Sequence, residues 1–599
     1  MRFKSRKTDG YLVFAVSGTN TISFGIDADD ADTKGLLGFA VERSDPKENE
    51  RYFVFGFKVF PSVAPHPDAT TAVKTFDHPI QSFVWDDFTA KPGRAYEYIF
   101  HPLKGTPKNL DRSAKPISIK VRTEPLFSTL EHDVFFNRGV ASSQAYARQF
   151  ENKKPDKLPP EKRKKALEWL SRSLDEAILK FIANARKGDT LLGCFYEFRY
   201  RPVADALREA HDRGVDVRLI IDAKDNGTTA KDGTVHESFP REDNLRMIEA
   251  ARLPKAKVIL REAKPANIAH NKFMVLLKGK TQVPSEVWTG STNISDGGIH
   301  GQTNVGHWVR DKETAGQFKA YWDLLSGDPG SARGDDRTTS TSKNKELRTS
   351  VEELHATPES FADIPPGVTP IFSPRSGPGV LDMYAHMVDE AKDLSCITLA
   401  FGISDVFKQL LKDNSTDSHI AFFLLEKEDK PNPASKKEFV GLNAANNVYK
   451  AWGAFLREPL YQWAKETNAG ALGLNQHVSY IHSKFLLMDP LGKDPVVVTG
   501  SANFSVASTN DNDENMLAIR GNRRVADIYF TEFNRLFYHY YFRSIQEKTR
   551  NLSEDEKRSQ NEQTLFLSET DEWIKKYKPG SLKRKRVDLF RRMDGFEAS

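Results

Sequence analysis

The 599-residue chain has only two cysteines, Cys194 and Cys396, which excludes a disulfide scaffold and implies a reducing compartment. Both lie in apolar, strand-like runs that suit buried thiols. No stretch approaches the length needed to cross a bilayer. The run Tyr11–Val16 behind the basic N-terminus is too short for a secretory segment and alternates as a strand does. Charge of one sign is also scarce: 87 Lys and Arg stand against 82 Asp and Glu, a net of +5. That balance permits a nucleic-acid partner without requiring one, since the local field in a cleft outweighs the sum. No compact cluster of Asp, Glu and His has metal-ligand spacing, so neither metal nor other cofactor is expected. The expectation is a cytoplasmic, soluble protein, long enough for several domains.

Residues 1–126 read as all-β. Seven short runs rich in Val, Ile, Phe and Tyr, from Tyr11–Val16 to Pro116–Val121, alternate with Gly, Pro, Asp and Lys, as in a β-sandwich. The stretch Trp85-Asp86-Asp87-Phe88, with Lys91-Pro92-Gly93 leading to Tyr96-Glu97-Tyr98, resembles a fibronectin type III module. It is read as an accessory domain for a protein partner. The remainder divides into two repeats, residues 127–326 and 351–546, in which strands alternate with helices. Each repeat closes with an aromatic-rich helix, Ala315–Leu325 or Val525–Phe542. Residues 327–350 read as a polar linker and 547–599 as a charged tail, whose Lys583-Arg584-Lys585-Arg586 run suits a solvated face.

The repeats carry the chemistry. His270-Asn271-Lys272 recurs 212 positions on as His482-Ser483-Lys484, and Gly290-Ser291-Thr292-Asn293 recurs as Gly500-Ser501-Ala502-Asn503. Cleaving a phosphodiester takes an attacking group, a proton for the leaving oxygen and donors for the equatorial oxygens. One repeat supplies a single His; two facing repeats put an imidazole on each side of one phosphate. In a strand, residues two apart share a face, so His270 and Lys272 can address one phosphate, as can His482 and Lys484. Asn293 and Asn503 offer amide hydrogens to the same oxygens, and the lysines would stabilise transition-state charge.

The second copy, with Asp489 five residues after Lys484, resembles the complete motif of the phospholipase D superfamily. The first copy has Leu277 where that motif has its aspartate, as some phosphodiesterase branches of the family also lack it. The resemblance implies an α/β fold of two pseudo-symmetric lobes with mixed sheets, here preceded by the all-β sandwich. It also implies metal-independent phosphodiesterase chemistry through a phosphohistidine. Glu514, in Asp513-Glu514-Asn515, matches the family's carboxylate on a catalytic imidazole, and Gln302-Thr303-Asn304 is taken as the first-lobe equivalent. Because a carboxylate favours the charged imidazole, His482 is expected beside Glu514 as general acid. His270, backed by Gln302 or Thr303, is expected as nucleophile, with Asp489, Ser291 and Ser501 in support.

A nuclease acting on DNA or RNA is expected ahead of a phospholipase D or phosphatidyl transferase acting on phospholipid, because no interfacial helix or secretion signal is evident. A non-catalytic phosphate-binding module is the third reading. Lys224–Asp232 and Lys436–Lys450 are expected at the cleft border. Both lobes lie in one chain, so a monomer suffices.

Overall fold

The computed structural model describes every residue except 69, 141–142, 265, 357, 359, 415–418, 434–437, 459, 473, 475–477, 549–551, 554, 557–563 and 598–599. The first 126 residues form a short ribbon of Phe55–Gly56 with Val73–Lys74 and two larger antiparallel sheets. One holds Arg2–Lys4, Tyr11–Ser17, Ile22–Ala28 and Val84–Asp87, and the other is centred on Gly38–Asp45 and Ala95–Thr106. Phe24 of the first sheet meets Tyr98 and Phe100 of the second at 4.7 and 5.4 Å between ring centroids.

Each of the two lobes is built on a seven-stranded mixed sheet. The first runs in space His132–Phe136, Val305–Val309, Val283–Gly290, Lys272–Lys278, Thr190–Phe195, Asp216–Asp222, Val258–Arg261. The second matches it strand for strand: Gly367–Ser373, Glu514–Arg520, Val496–Gly500, Phe485–Met488, Leu394–Leu399, Ile420–Leu425, Val448–Trp452. The last three strands of each sheet are parallel and the others antiparallel. The parallel strands are apolar runs that helices cover. Helix Arg201–Asp212 buries Val203, Ala204, Leu207 and Ala210, a single stripe at helical spacing. Burying one such aliphatic side chain contributes about 1.5–3 kcal/mol for the larger residues.

The aromatic-rich closing helices form where expected, over Lys312–Ser326 and Arg523–Lys548. The second is buried on most sides because it lies among three bodies. Tyr529 packs on Phe136 of the first lobe and Phe485 of the second, and Gly18 of the sandwich abuts Thr531. Two expectations need correction. Residues 327–350, read as a linker, largely belong to helix Arg337–Leu354. Asp336 caps it by accepting from the amides of Thr338 and Thr339, and Leu347 and Val351 anchor it one turn apart. The tail is not a loose charged extension either. Trp573 donates its indole N–H to Leu36 O, and Phe590 of helix Leu582–Arg591 lies over Gly25. The basic run is tied into this packing: Lys585 donates to Asn447, and Arg586 stacks 4.6 Å from the centroid of Tyr538. Among the described residues no helix is long and apolar enough to cross a membrane.

Candidate active site

The lobes meet through two matching bridges, Ala269 with Asp513 and Thr303 with Ile481. Each bridge lies one residue from a motif histidine, so each imidazole is presented at the seam beside a segment of the other lobe. His270 and His482 are both 5% exposed, and they line one cleft of about 450 Å³ together with Asn293, Asn503 and Gln302. Lys272 and Lys484 begin or precede their strands and each donates one ammonium hydrogen to its own histidine's carbonyl, at 2.7 and 2.6 Å. Two hydrogens per lysine remain for a substrate.

The imidazole partners are exchanged relative to the expectation from sequence. Glu514 sits 2.9 Å from Nδ1 of His270, not beside His482. His482 Nδ1 is 2.9 Å from Oδ1 of Asn304. The first-lobe equivalent of Glu514 is therefore Asn304, not Thr303. Ser291 donates to Asn304 as Ser501 donates to Glu514, each across thirteen residues. Thr303 instead accepts the His482 amide at 3.1 Å and meets Ser483 Oγ at 3.0 Å. Gln302 lines the cleft but bonds neither imidazole through its side chain.

These partners fix the tautomers. The Glu514 carboxylate only accepts, so Nδ1 of His270 carries a proton and Nε2 keeps its lone pair. Asn304 gives its amide hydrogens toward Gly298 O, leaving Oδ1 to accept from His482 Nδ1. Burial pushes the His270 imidazole down to about 4, against the raising influence of Glu514 and with a further lowering from Lys272. Burial, then Lys484, Lys272 and His270, hold His482 well below the ordinary histidine value. Lys272 is lowered to about 8 by burial, and Lys484 is lowered by burial and by Lys272. Burial opposes ionisation of Glu514, but His270 and Lys272 outweigh it and keep the carboxyl below its usual value.

Asp489 lies away from the cleft. Its carboxylate accepts from the amides of Lys392, Asp393 and Leu394, closing the turn ahead of strand Leu394–Leu399. In the first lobe the strand carries Leu277, and the carboxylate comes from the opposite side: Asp189 accepts from Gly279 N and Arg186 N. The missing motif aspartate is thus replaced at the same turn. Of the loop Lys224–Asp232, Asn226 lines the cleft, whereas Lys224 lies off it. It donates to Ala263 O within a buried cluster where Arg261 binds Asp513 at 2.9 Å and Asp328 at 2.6 Å. Lys436 is outside the described residues. Cys194 and Cys396 are buried and unpaired. Among the described residues no three His, Cys, Asp or Glu side chains cluster as metal ligands.

Residues that sequence reasoning passed over complete the cleft. Tyr196 packs edge-on to His270 at 5.0 Å between centroids, and Phe239, Phe401 and Arg199 line the mouth. Glu197 accepts from Asn293 Nδ2 at 2.7 Å and from Arg199 at 2.8 Å. Their positions just past a strand end are the one sequence signal that would have marked them.

The doubled His-x-Lys thus meets at one seam, with each imidazole partnered from the opposite lobe. The family model described as "Cardiolipin synthase, PLD-like domain" matches residues 178–325 and 395–537. The chain therefore belongs to the phospholipase D superfamily, a family of phosphodiesterases and phosphotransferases. Phosphatidylserine synthase of Haemophilus influenzae is similar at 12% identity over 66% of this chain and 94% of that one, TM-score 0.41. Nuc of Salmonella typhimurium, a phospholipase D family member, is 21% identical over 25% of this chain and 83% of its own, TM-score 0.19. Polyphosphate kinase of Porphyromonas gingivalis is 10% identical over 58% of this chain, TM-score 0.34, and the chain spans 46% of that protein's length. No curated protein sequence matches the chain.

Proposed function

We propose that the protein is a metal-independent phosphodiesterase that cleaves nucleic acid through a phosphohistidine on His270. The observation that carries this reading is the cross-lobe pair, Glu514 on His270 and Asn304 on His482. Nε2 of neutral His270 attacks phosphorus, and the ring gains positive charge as the P–N bond forms. Glu514, already at Nδ1, stabilises that charge in a dry site. His482, backed by a neutral amide, takes its proton under the negative charge of the bound phosphate, which opposes the lowering by burial and by the lysines. It then gives its proton to the leaving oxygen and later takes one from water, which cleaves the P–N bond. Lys272 and Lys484 hold the equatorial oxygens, with Asn503 beside them. His270 thus keeps the role expected from sequence, but for a different reason: the carboxylate serves the nucleophile's adduct rather than the acid.

Nucleic acid is favoured by the mouth of the cleft. Tyr196, Phe239 and Phe401 offer ring faces or edges near the phosphate site, and Phe401 is 68% exposed. Unstacked bases bind such rings, and Arg199 beside them suits a neighbouring phosphate. The phospholipid reading draws on the same exposed Phe401 and on Val506, 56% exposed, which would suit a lipid surface. The test is one assay in excess EDTA of wild type and His482→Ala, offering single- and double-stranded DNA, RNA, a model diester and phosphatidylcholine vesicles. EDTA-resistant nucleic-acid cleavage lost in the variant supports the proposal. Choline release with intact nucleic acid replaces it with the lipase, and silence throughout leaves a phosphate-binding module. A cytoplasmic, monomeric protein, with the sandwich open to a protein partner, completes the reading.

A further inference from the structure

Glu197 breaks the pseudo-symmetry of the cleft. It lies two residues past strand Thr190–Phe195, and the matching place past strand Leu394–Leu399 is Phe401. The match follows from the sheets. Phe195 pairs with Lys272, and Ile397 with Leu486, which carries Leu399 opposite Lys484. One lobe thus turns a carboxylate into the phosphate-binding cleft where the other turns a phenyl ring. This carboxylate is 7% exposed and is fixed from two sides. Asn293 Nδ2 donates to Oε1 at 2.7 Å, and Arg199 Nε and a terminal nitrogen donate to Oε2 at 3.0 and 2.8 Å. Glu197 also acts on both motif lysines, favouring their charged forms. The amide that the first Gly-Ser-x-Asn turn brings to the site is therefore committed to a resident anion rather than left wholly to a phosphate. Neither catalytic imidazole bonds that anion.

The geometry points to Glu197 as a charge filter that makes the cleft select phosphodiesters, which carry one negative charge, over phosphomonoesters, which carry two. A fixed carboxylate beside the phosphate repels each unit of ligand charge by the same amount, so a dianion suffers twice the penalty of a monoanion. At roughly 6 Å with water-like screening, one unit costs about threefold in affinity, and two units about tenfold. The filter has a consequence for turnover. Hydrolysis of a phosphohistidine adduct leaves a monoester dianion between two lysines, where it would otherwise linger as a product inhibitor. Repulsion from Glu197 speeds its departure. This inference rests on the phosphodiesterase reading for its role in turnover, but its binding claim stands separately.

The test uses the full chain and two ligands that differ in charge but little in size, dimethyl phosphate and methyl phosphate, titrated calorimetrically at pH 8 without turnover. Wild type is compared with Glu197→Gln, which removes the charge, and Glu197→Asp, which keeps it but breaks the contact with Asn293. The expected result is a gain of about threefold for dimethyl phosphate and about tenfold for methyl phosphate in Glu197→Gln, with Glu197→Asp showing no selective gain. Equal changes for both ligands, or the same change in both variants, would overturn the filter and leave a packing role. Should Glu197→Gln not fold, which a thermal melt reports, Arg199→Gln serves instead. Freed of its partner, Glu197 should then discriminate against methyl phosphate more strongly than in wild type, and unchanged discrimination would overturn the inference. If wild type cleaves no diester at all, the phosphodiesterase reading falls, while the ligand comparison still decides the filter.

Discussion

Replacing Glu514 with Gln removes a charge while keeping the shape of the side chain. In the native site both carboxylate oxygens lie 2.9 Å from His270 Nδ1, and Ser501 holds one of them at 2.7 Å. The attacking imidazole is neutral before reaction and positive once bonded to phosphorus, so the carboxylate binds the transition state better than the ground state. A hydrogen bond to a charged group is worth about 1.5–3 kcal/mol, and a charge pair near 4 Å at an effective dielectric of 20 about 4 kcal/mol. A loss of about 2–4 kcal/mol lowers kcat roughly 30- to 1000-fold. The pH profile supplies the diagnostic. Glu514 raises the His270 pKa, which burial holds near 4. Its removal moves the acid limb of kcat/KM to lower pH while the plateau drops. The assay is steady-state cleavage of a model diester from pH 3.5 to 9, with a thermal melt to confirm folding. An unchanged plateau, or an acid limb moving upward, would refute the assignment of Glu514 to the nucleophile.

Three further outcomes follow from the same geometry. Arg261→Met leaves Asp513 buried without its principal cation, and loss of one partner from such a pair costs about 3–5 kcal/mol; chemical denaturation should show this, with activity falling as Glu514 shifts. Leu277→Asp, which restores the family's aspartate, should destabilise the protein by several kcal/mol or more without raising activity, because Leu277 is 1% exposed and Asp189 already serves that turn. His270 titrates near 4 when folded and near 6.5 when unfolded, so its contribution to stability is complete above pH 6.5 and is lost as pH falls toward 4; about 3 kcal/mol should disappear across that window in wild type and be absent from His270→Ala.

The repeat, the two sheets and the six motif residues were legible from sequence because each depends on local spacing. His-x-Lys reads as one strand face, and the apolar runs around Thr190–Phe195 and Leu394–Leu399 read as buried strands. What sequence concealed was which lobe serves which histidine. Glu514 is 32 residues from His482 and 244 from His270, yet the bridge between Ala269 and Asp513 delivers it to the distant ring. Within Gln302-Thr303-Asn304 the equivalent of Glu514 is the last residue and not the middle one, because Ser291 and Ser501 each bond a partner thirteen residues on. Helix Arg337–Leu354 was missed because only Leu347 and Val351 are buried in a polar stretch, too narrow a stripe to read. The basic tail misled for a related reason: Lys585 and Arg586 spend their stems and charges on Asn447 and Tyr538.

The central claim is that His270 carries the phosphoryl group. In His482→Ala, a p-nitrophenyl diester needs no proton for its leaving group, so the adduct should form and persist for want of a base to activate water. Rapid quenching at alkaline pH, followed by peptide mass spectrometry, locates it. The account predicts phosphate on the peptide bearing His270, with a burst of one p-nitrophenol per chain. Turnover without any adduct would contradict it, as would phosphate on His482 when the companion variant His270→Ala is treated in the same way.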